Sequence, residues 1–107
     1  MNLEEKAPKQ FKGEQFKTIL LLYISKFDTP KKAQTLSNFE RMLGYSIGRP
    51  DTRKLFSYLI LKDALKAAEE KYFNFSLYYI NKTALWEIIK NQKTYELCIK
   101  CFKFNIP

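Results

Sequence analysis

The chain has few side chains suited to covalent or metal chemistry. Its 107 residues include two cysteines and eleven acidic residues, but no histidine. Without histidine there is no Ser-His-Asp triad, no Cys-His pair and no ordinary zinc enzyme site. Three glycines are too few for a dinucleotide fingerprint or a P-loop, and no carboxylates form a spaced pair with a plausible base. We therefore expect a protein that is not an enzyme, with no catalytic residue, no cofactor and no small-molecule substrate.

The two cysteines, Cys98 and Cys101, form an isolated C-x-x-C motif. A thioredoxin-type redox site needs such a pair to open a helix after a strand, whereas this pair falls late in a predicted helix. Two alternatives need a second chain: half of a shared zinc site, or a disulfide across a dimer. We expect free thiols that are buried or half-buried, and no metal site.

The basic residues are unevenly distributed. The chain has 19 Lys and Arg against 11 Asp and Glu, a net charge of +8. Residues 31–62 hold seven basic and two acidic residues, and all three arginines fall between positions 41 and 53. The planar fork of arginine suits phosphates and guanine edges. A polyanion is therefore the first partner to expect. The alternatives are a solvated basic face and a module that docks on an acidic protein surface, such as that of a viral host.

The apolar spacing predicts four helices and at least one strand. The predicted helices cover residues 14 to about 28, 38–43, about 50–62 and 84 to about 104, and the strand covers residues 72–80. Ser37 and Glu40 form a capping-box pattern at the second helix, and Gly44 suits its end. Residues 62–71 fit either more helix or the first strand of a hairpin, whose tip would then lie near Glu69-Glu70-Lys71.

The predicted strand is rich in aromatic residues. We expect core packing for this set: Tyr72, Phe73, Phe75, Tyr78 and Tyr79. The alternative is a base-stacking platform for single-stranded nucleic acid. The absence of interleaved basic residues favours the core.

Two segments carry a family resemblance. Residues 35–46 (TLSNFERMLGYS) resemble the first half of a helix-turn-helix, with Phe39, Leu43 and Ile47 at packing positions and Gly44 at the turn. Residues 78–85 (YYINKTAL) resemble the strand-to-helix exit of a winged-helix domain. Over about residues 14–90, the chain therefore resembles winged helix-turn-helix DNA-binding proteins, in the small basic form common in archaea and their viruses and plasmids. It departs from the family in having Glu40 where a small Ala is common, and in an acidic predicted hairpin tip.

The resemblance implies a mostly α fold with a small β-hairpin (α+β) and a sequence-selective regulator of transcription that binds double-stranded DNA. The third helix would enter the major groove. Its base-reading candidates are Arg49, Thr52, Arg53 and Ser57. The phosphate-binding candidates are Lys31, Lys32, Arg41 and Lys54.

Three regions are expected along the chain: a flexible arm at 1–13, the winged helix-turn-helix domain at 14–83, and a dimerisation helix at 84–107. The last helix carries a heptad seam. Its candidate residues for a homodimer interface are Leu85, Ile88, Gln92, Tyr95, Ile99 and Phe102. The charged residues 1–15 do not resemble a signal peptide and no apolar run is long enough for a membrane span, so an intracellular location is expected, in the cytoplasm or in that of a host.

Overall fold

The structure is a computed structural model, and it describes residues 10–11, 13–45 and 48–92. The described residues form an α+β fold of four α-helices and one antiparallel hairpin, which confirms the predicted fold class at this level. The elements are α1 (Glu14–Ile24), a 3₁₀ turn (Pro30–Lys32), α2 (Leu36–Met42), α3 (Pro50–Leu61), β1 (Leu65–Tyr72), β2 (Phe75–Ile80) and α4 (Lys82–Lys90). Among these residues, no helix combines the length and the apolar character needed to cross a bilayer.

Helix α1 begins where the sequence predicts and ends earlier. Gly13 precedes it at φ 59°, a left-handed conformation that glycine adopts without strain. The helix stops at Ile24 because Ser25 turns to extended backbone and bonds Leu22 O through both its amide and its hydroxyl. The prediction that helix continues to about residue 28 is therefore wrong. Ile24, its last residue, is 56% exposed.

Helix α2 has a different N-terminal cap from the predicted one. The hydroxyl of Thr35 accepts a hydrogen bond from the amide of Asn38, so the helix starts at Leu36. Ser37 lies inside the helix, and the predicted capping box between Ser37 and Glu40 is wrong. The predicted end is confirmed: Gly44 adopts φ 81°, and the amides of Gly44 and Tyr45 bond back to the last turn.

Helix α3 starts at Pro50, as predicted for a proline at the first helical position. Its end resolves the ambiguity over residues 62–71. Asp63 takes a left-handed φ of 61°, its amide bonds Ile60 O, and the amide of Ala64 bonds Leu59 O. These paired bonds form the Schellman arrangement that terminates a helix, with Asp in place of the usual Gly. The chain then enters β1.

The hairpin is irregular, and its tip lies beyond the predicted one. Leu65 pairs with Ile80 at its base and Tyr72 with Phe75 at its tip. Between these ends the three residues 68–70 face Leu77 alone, which is a bulge on β1. Because of the bulge, Glu69 and Glu70 lie within β1, and the turn falls at Phe73 and Asn74. Beyond the other edge of β2, Gln34 and Tyr78 form an isolated antiparallel bridge.

A single hydrophobic core includes residues from all three regions predicted from the sequence: the arm, the central domain and the last helix. Phe39, Phe56 and Ile19 are fully buried at its centre. Phe11, from the predicted flexible arm, is buried against Tyr58 with ring centroids 5.3 Å apart. Its amide donates to the side chain of Gln92. The arm is therefore docked at residues 10–11.

Helix α4 packs into the same core, which changes the interpretation of the heptad seam. Leu85, Ile89 and Gln92 are buried in the chain's own domain, so Leu85 and Gln92 are not available to a second chain. Ile88 is half-buried against the core. The helix ends at Lys90, and residues 91–92 form a turn, so one continuous helix to residue 104 is wrong. Tyr95, Ile99, Phe102, Cys98 and Cys101 lie outside the described residues.

Burial also changes the chemistry of two phenols. Desolvation raises the pKa of Tyr23, which packs against Trp86 of α4. Desolvation likewise raises the pKa of Tyr58, which lies on α3 against Phe11. In both cases burial disfavours the charged phenolate.

Candidate nucleic-acid interface

A buried carboxylate fixes the corner between α2 and α3. Glu40 is fully buried, although it lies on a short helix among aromatic side chains. Its Oε2 accepts hydrogen bonds from the amides of Gly48 (2.9 Å) and Arg49 (3.2 Å), which immediately precede α3. Its Oε1 lies 2.7 Å from Nη2 of Arg53. A carboxylate is stable inside a protein only with such partners. The family departure at Glu40 is thus accommodated by the start of α3, and the capping box has no part in it.

Arg53 is held from two sides. Its Nη2 pairs with Glu40 and also donates to Ser37 Oγ at 3.0 Å, so α2 and α3 are bonded through one guanidinium. Its Nε is buried and has no hydrogen-bond partner among the described residues. The side chain is still 36% exposed. Arg53 is therefore both a structural group and a partly accessible donor.

Arg49 is similarly engaged at the start of α3. Its Nη2 lies 3.1 Å from Glu14 Oε2 of α1, and its guanidinium lies 5.2 Å from the centroid of the Tyr45 ring. The Tyr45 hydroxyl in turn lies 2.6 Å from Thr18 Oγ1. The Glu14 and Arg49 side chains are both well exposed, so this ion pair contributes little stability. Arg49 can exchange Glu14 for another anion at low cost.

The remaining α3 candidates divide by burial. Thr52 is only 5% exposed, because it lies on the core side of the helix, and we remove it from the base-reading set. Ser57 is exposed, as predicted, and so is the phosphate-binding candidate Lys54. Leu55 and Leu59 are buried on the opposite side. Of the α3 candidates, Arg53, Lys54 and Ser57 are therefore accessible, and the acidic Asp51 and the apolar Leu61 are exposed on the same helix.

The four phosphate-binding candidates share one property. Each is exposed, and none has an ion pair with any residue in the described ranges: Lys31, Lys32, Arg41 and Lys54. Lys31 and Lys32 are the last two residues of the 3₁₀ turn. Their charge is therefore available to an external anion.

The aromatic strand region is only partly core. Tyr78 and Tyr79 are half-buried, but Tyr72 is 59% exposed, Phe73 is 80% exposed and Phe75 is 64% exposed. The expectation that all five pack in the core is therefore wrong for the three at the tip. These three side chains lie at the turn end of the hairpin and are largely exposed.

A cleft of about 470 Å³ separates this hairpin from the start of α2. Polar side chains, including Ser37, Asn38 and Arg41, form one wall, and the apolar Tyr72, Phe75 and Leu77 form the other. The acidic Glu69 and Glu70 line a different cleft, beside Lys31. Among the described residues there is no group of three or more metal-ligating side chains.

Two features of the site escape pattern reading. The sequence marks Glu40 as a misfit, and its nearness to three arginines hints at a buried ion pair, but no spacing rule connects residue 40 to the amides of residues 48 and 49. The exposed tip depends on a bulge that the sequence does not signal. Comparison of this chain with protein-family models, curated proteins and solved structures found no match.

Proposed function

We propose that the chain is a winged-helix domain that binds double-stranded DNA, with α3 as its recognition helix and a role in regulating transcription. The order of α1, the bridge at Gln34, α2, α3 and the β1–β2 hairpin is the order expected for that domain. The observation that carries the proposal is the exposed face of α3 beside cations with no ion pair among the described residues. Glu40 holds that face at a fixed angle to α2.

The cations would bind phosphates and position the domain, while the α3 face would contact base edges. Lys31, Lys32, Arg41 and Lys54 supply charge without the cost of breaking an ion pair to any residue that the structure describes. Arg49, Arg53 and Ser57 are the base-reading candidates that remain accessible. Arg53 would read bases through the part of its fork that Glu40 and Ser37 leave free.

The salt dependence of duplex binding tests the electrostatic part. Each neutralised phosphate contributes about −0.9 to the slope of log K against log salt. We expect Lys31→Gln/Lys32→Gln to weaken binding to all sequences alike and to make that slope less negative by about 1.8. Lys90→Gln is the matched control, because Lys90 is paired with Glu87 on α4. An unchanged slope in the double variant would contradict the proposed surface.

Base reading is tested with Arg53→Lys in preference to Arg53→Ala, because alanine would leave the buried Glu40 without its cation. Lysine keeps the charge but lacks the planar fork. We expect the variant to remain folded by circular dichroism and to lose discrimination between duplex sequences in a competition titration. Unchanged discrimination would remove Arg53 from the base-reading set.

Pairing of two chains on a palindromic site stays a prediction. Its remaining interface candidates are Ile88, which is half-buried, and Tyr95, Ile99 and Phe102, which lie outside the described residues. Light scattering of the full chain, alone and with a palindromic duplex, measures the number of chains directly. A monomer in both samples would contradict the pairing.

A second candidate function is a protein-interaction module that uses the same basic surface. The ion pairs of Arg49 with Glu14 and Arg53 with Glu40 favour it, because they leave fewer arginines free to read bases. Elution from a DNA column separates the two functions. A DNA-binding domain elutes only at high salt, whereas an interaction module without DNA affinity elutes at low salt despite its pI near 9.5.

A further inference from the structure

The hairpin tip exposes three aromatic side chains that do not contribute to the core. Phe73 is 80% exposed, Phe75 64% and Tyr72 59%. The rings of Tyr72 and Phe73 meet edge to face, with centroids 4.7 Å apart. Phe75 lies roughly 17 Å along β2 from Ile80, which is buried at the base of the hairpin. The rings therefore form a largely exposed apolar tip at the end of the hairpin that is far from its buried base.

The backbone at Phe73 is unfavourable for the residue it carries. Its φ is 54°, a left-handed value that Gly, Asn and Asp tolerate and that is uncommon for a bulky residue. Asn74 is the next residue, but it does not occupy the positive-φ position. The two-residue turn between Tyr72 and Phe75 requires a positive φ at this position, where glycine is the usual residue. A bulky, exposed ring at such a position is an outlier of the kind that clusters at binding sites.

The surroundings of the tip are cationic on one side. The cleft beside Tyr72 and Phe75 has Arg41 in its opposite wall. Lys71 directly precedes the tip and is exposed. Neither cation has an ion pair within the described part of the chain. The acids of β1, Glu69 and Glu70, line the separate cleft beside Lys31.

We propose that the tip stacks on the flat face of a nucleobase in the DNA that the chain binds. A nucleic-acid strand combines an anionic backbone, which suits Arg41 and Lys71, with flat aromatic bases, which suit Tyr72, Phe73 and Phe75. An acidic protein surface would meet the cations but would leave the three rings without a matching partner. The inference rests on the proposed DNA-binding function and adds a second contact to it.

A base face becomes accessible in two ways, which the experiment separates. One probe is a fully paired duplex containing 2-aminopurine, whose emission is quenched by stacking, and the other is the same duplex with 2-aminopurine as one extra, unpaired base. If the tip captures a base that is already unstacked, the protein binds the second duplex about tenfold more tightly and quenches its emission. If the tip itself opens a paired step, emission changes in the first duplex as well.

Phe73→Gly removes the ring and suits the backbone, so it should fold, and Phe73→Asn provides a second variant that tolerates the same φ. Both should lose the preference for the unpaired base and its quenching, while keeping most of the affinity for the paired duplex. Ile24→Ser is the matched control, because Ile24 is 56% exposed at the end of α1 and belongs neither to the tip nor to the proposed recognition helix. It should behave like the parent.

The outcomes distinguish this inference from the proposed function. Equal parent affinities for the two duplexes with no change in emission, or an unpaired-base preference that survives in both Phe73 variants, would overturn the stacking role and leave duplex binding standing. If the parent binds the duplex with the unpaired base but does not bind the fully paired duplex, the proposed function is wrong and the stacking role stands. Binding to neither DNA would overturn both. If light scattering shows a parent dimer that Phe73→Gly abolishes, the tip is covered by a second copy of the chain and the stacking role is wrong.

Discussion

The α2–α3 corner and the hairpin tip are both unusual, and they are opposite in kind. At the corner a charged side chain is fully buried and bonds two amides and a guanidinium. At the tip three apolar side chains are exposed, and one of them occupies strained backbone. The corner buries a charged group and surrounds it with two amides and a guanidinium. The tip leaves apolar groups largely exposed, and no element in the described ranges covers them fully.

This difference distinguishes residues that stabilise the fold from residues that are accessible to a binding partner. Arg53 and Lys54 are neighbours with the same formal charge, yet Arg53 is bonded to Glu40 and Ser37 whereas Lys54 is exposed with no ion pair among the described residues. Formal charge alone does not distinguish them. The corner should therefore respond to mutation mainly through stability, and the tip mainly through binding.

The largest expected effect is at the corner. Glu40→Ala removes two charge-assisted hydrogen bonds and an ion pair, so the free energy of unfolding should fall by about 3 kcal/mol. Denaturant titration measures the loss. Glu87→Ala is the control, because the exposed Glu87–Lys90 pair contributes only about 0.5 kcal/mol. Equal losses in the two variants would refute the structural role of Glu40.

A smaller effect is expected at the cap of α2. Thr35→Ala deletes the side chain that caps the helix and should lower the free energy of unfolding by about 1 kcal/mol. Ser37→Ala should lower it by less, because Ser37 lies within the helix and bonds only the half-exposed Arg53. The denaturation midpoints of the two variants, measured in parallel, show which side chain contributes more to the stability of the helix. A larger loss at Ser37 would restore the capping box that the sequence suggests.

At the tip, a deletion should stabilise the fold. Phe73→Gly relieves the left-handed backbone, and the gain exceeds the entropy cost of glycine by about 0.5 kcal/mol. Phe75→Gly is the matched control, because Phe75 lies in β2 without a positive φ and the same change should destabilise there. A melting temperature that rises in Phe73→Gly and falls in Phe75→Gly would support the contrast between the two positions. A loss of stability in Phe73→Gly would mean that the ring supports the hairpin.

The smallest effect depends on pH. Burial raises the pKa of Tyr58 above its ordinary value of 10.0, so the unfolded chain loses the phenol proton first. The contribution of Tyr58 to stability is therefore complete below about pH 10 and is lost as pH rises further. Tyr58→Phe should lose less stability than the parent between about pH 9 and pH 11. Tyr72→Phe, which changes an exposed phenol at the tip, is the control and should follow the parent.

Sequence reasoning located the elements better than their ends. Pro50 and Gly44 fix where α3 begins and α2 ends, because each acts through its own backbone conformation. The end of α3 was ambiguous because Asp63 adopts a left-handed conformation that glycine usually marks. Thr35 and Ser37 are both acceptable caps by residue type, and the sequence pattern does not distinguish them, whereas in the structure Thr35 caps the helix.

The site was predictable to the extent that it depends on local exposure. Lys31, Lys32, Arg41, Lys54 and Ser57 are exposed as expected. The pairing of Arg53 with Glu40 joins two helices, and the burial of Leu85 and Gln92 depends on where α4 meets the rest of the core. Helical spacing defines a face but does not say which neighbour covers it. The aromatic tip depends in the same way on a bulge, which shifts every later residue of β1.

The bulge in β1 also bears on how the chain avoids self-association. No other strand in the described ranges pairs with the outer edge of β1, so its free amides and carbonyls form a template for a second strand. The extra residues interrupt the regular repeat of that edge, and Lys66, Glu69, Glu70 and Lys71 place charges of both signs along it. Along this charged part of the edge, a strand added from another molecule would find no matching register. The same irregularity therefore works against edge-to-edge pairing of the sheet.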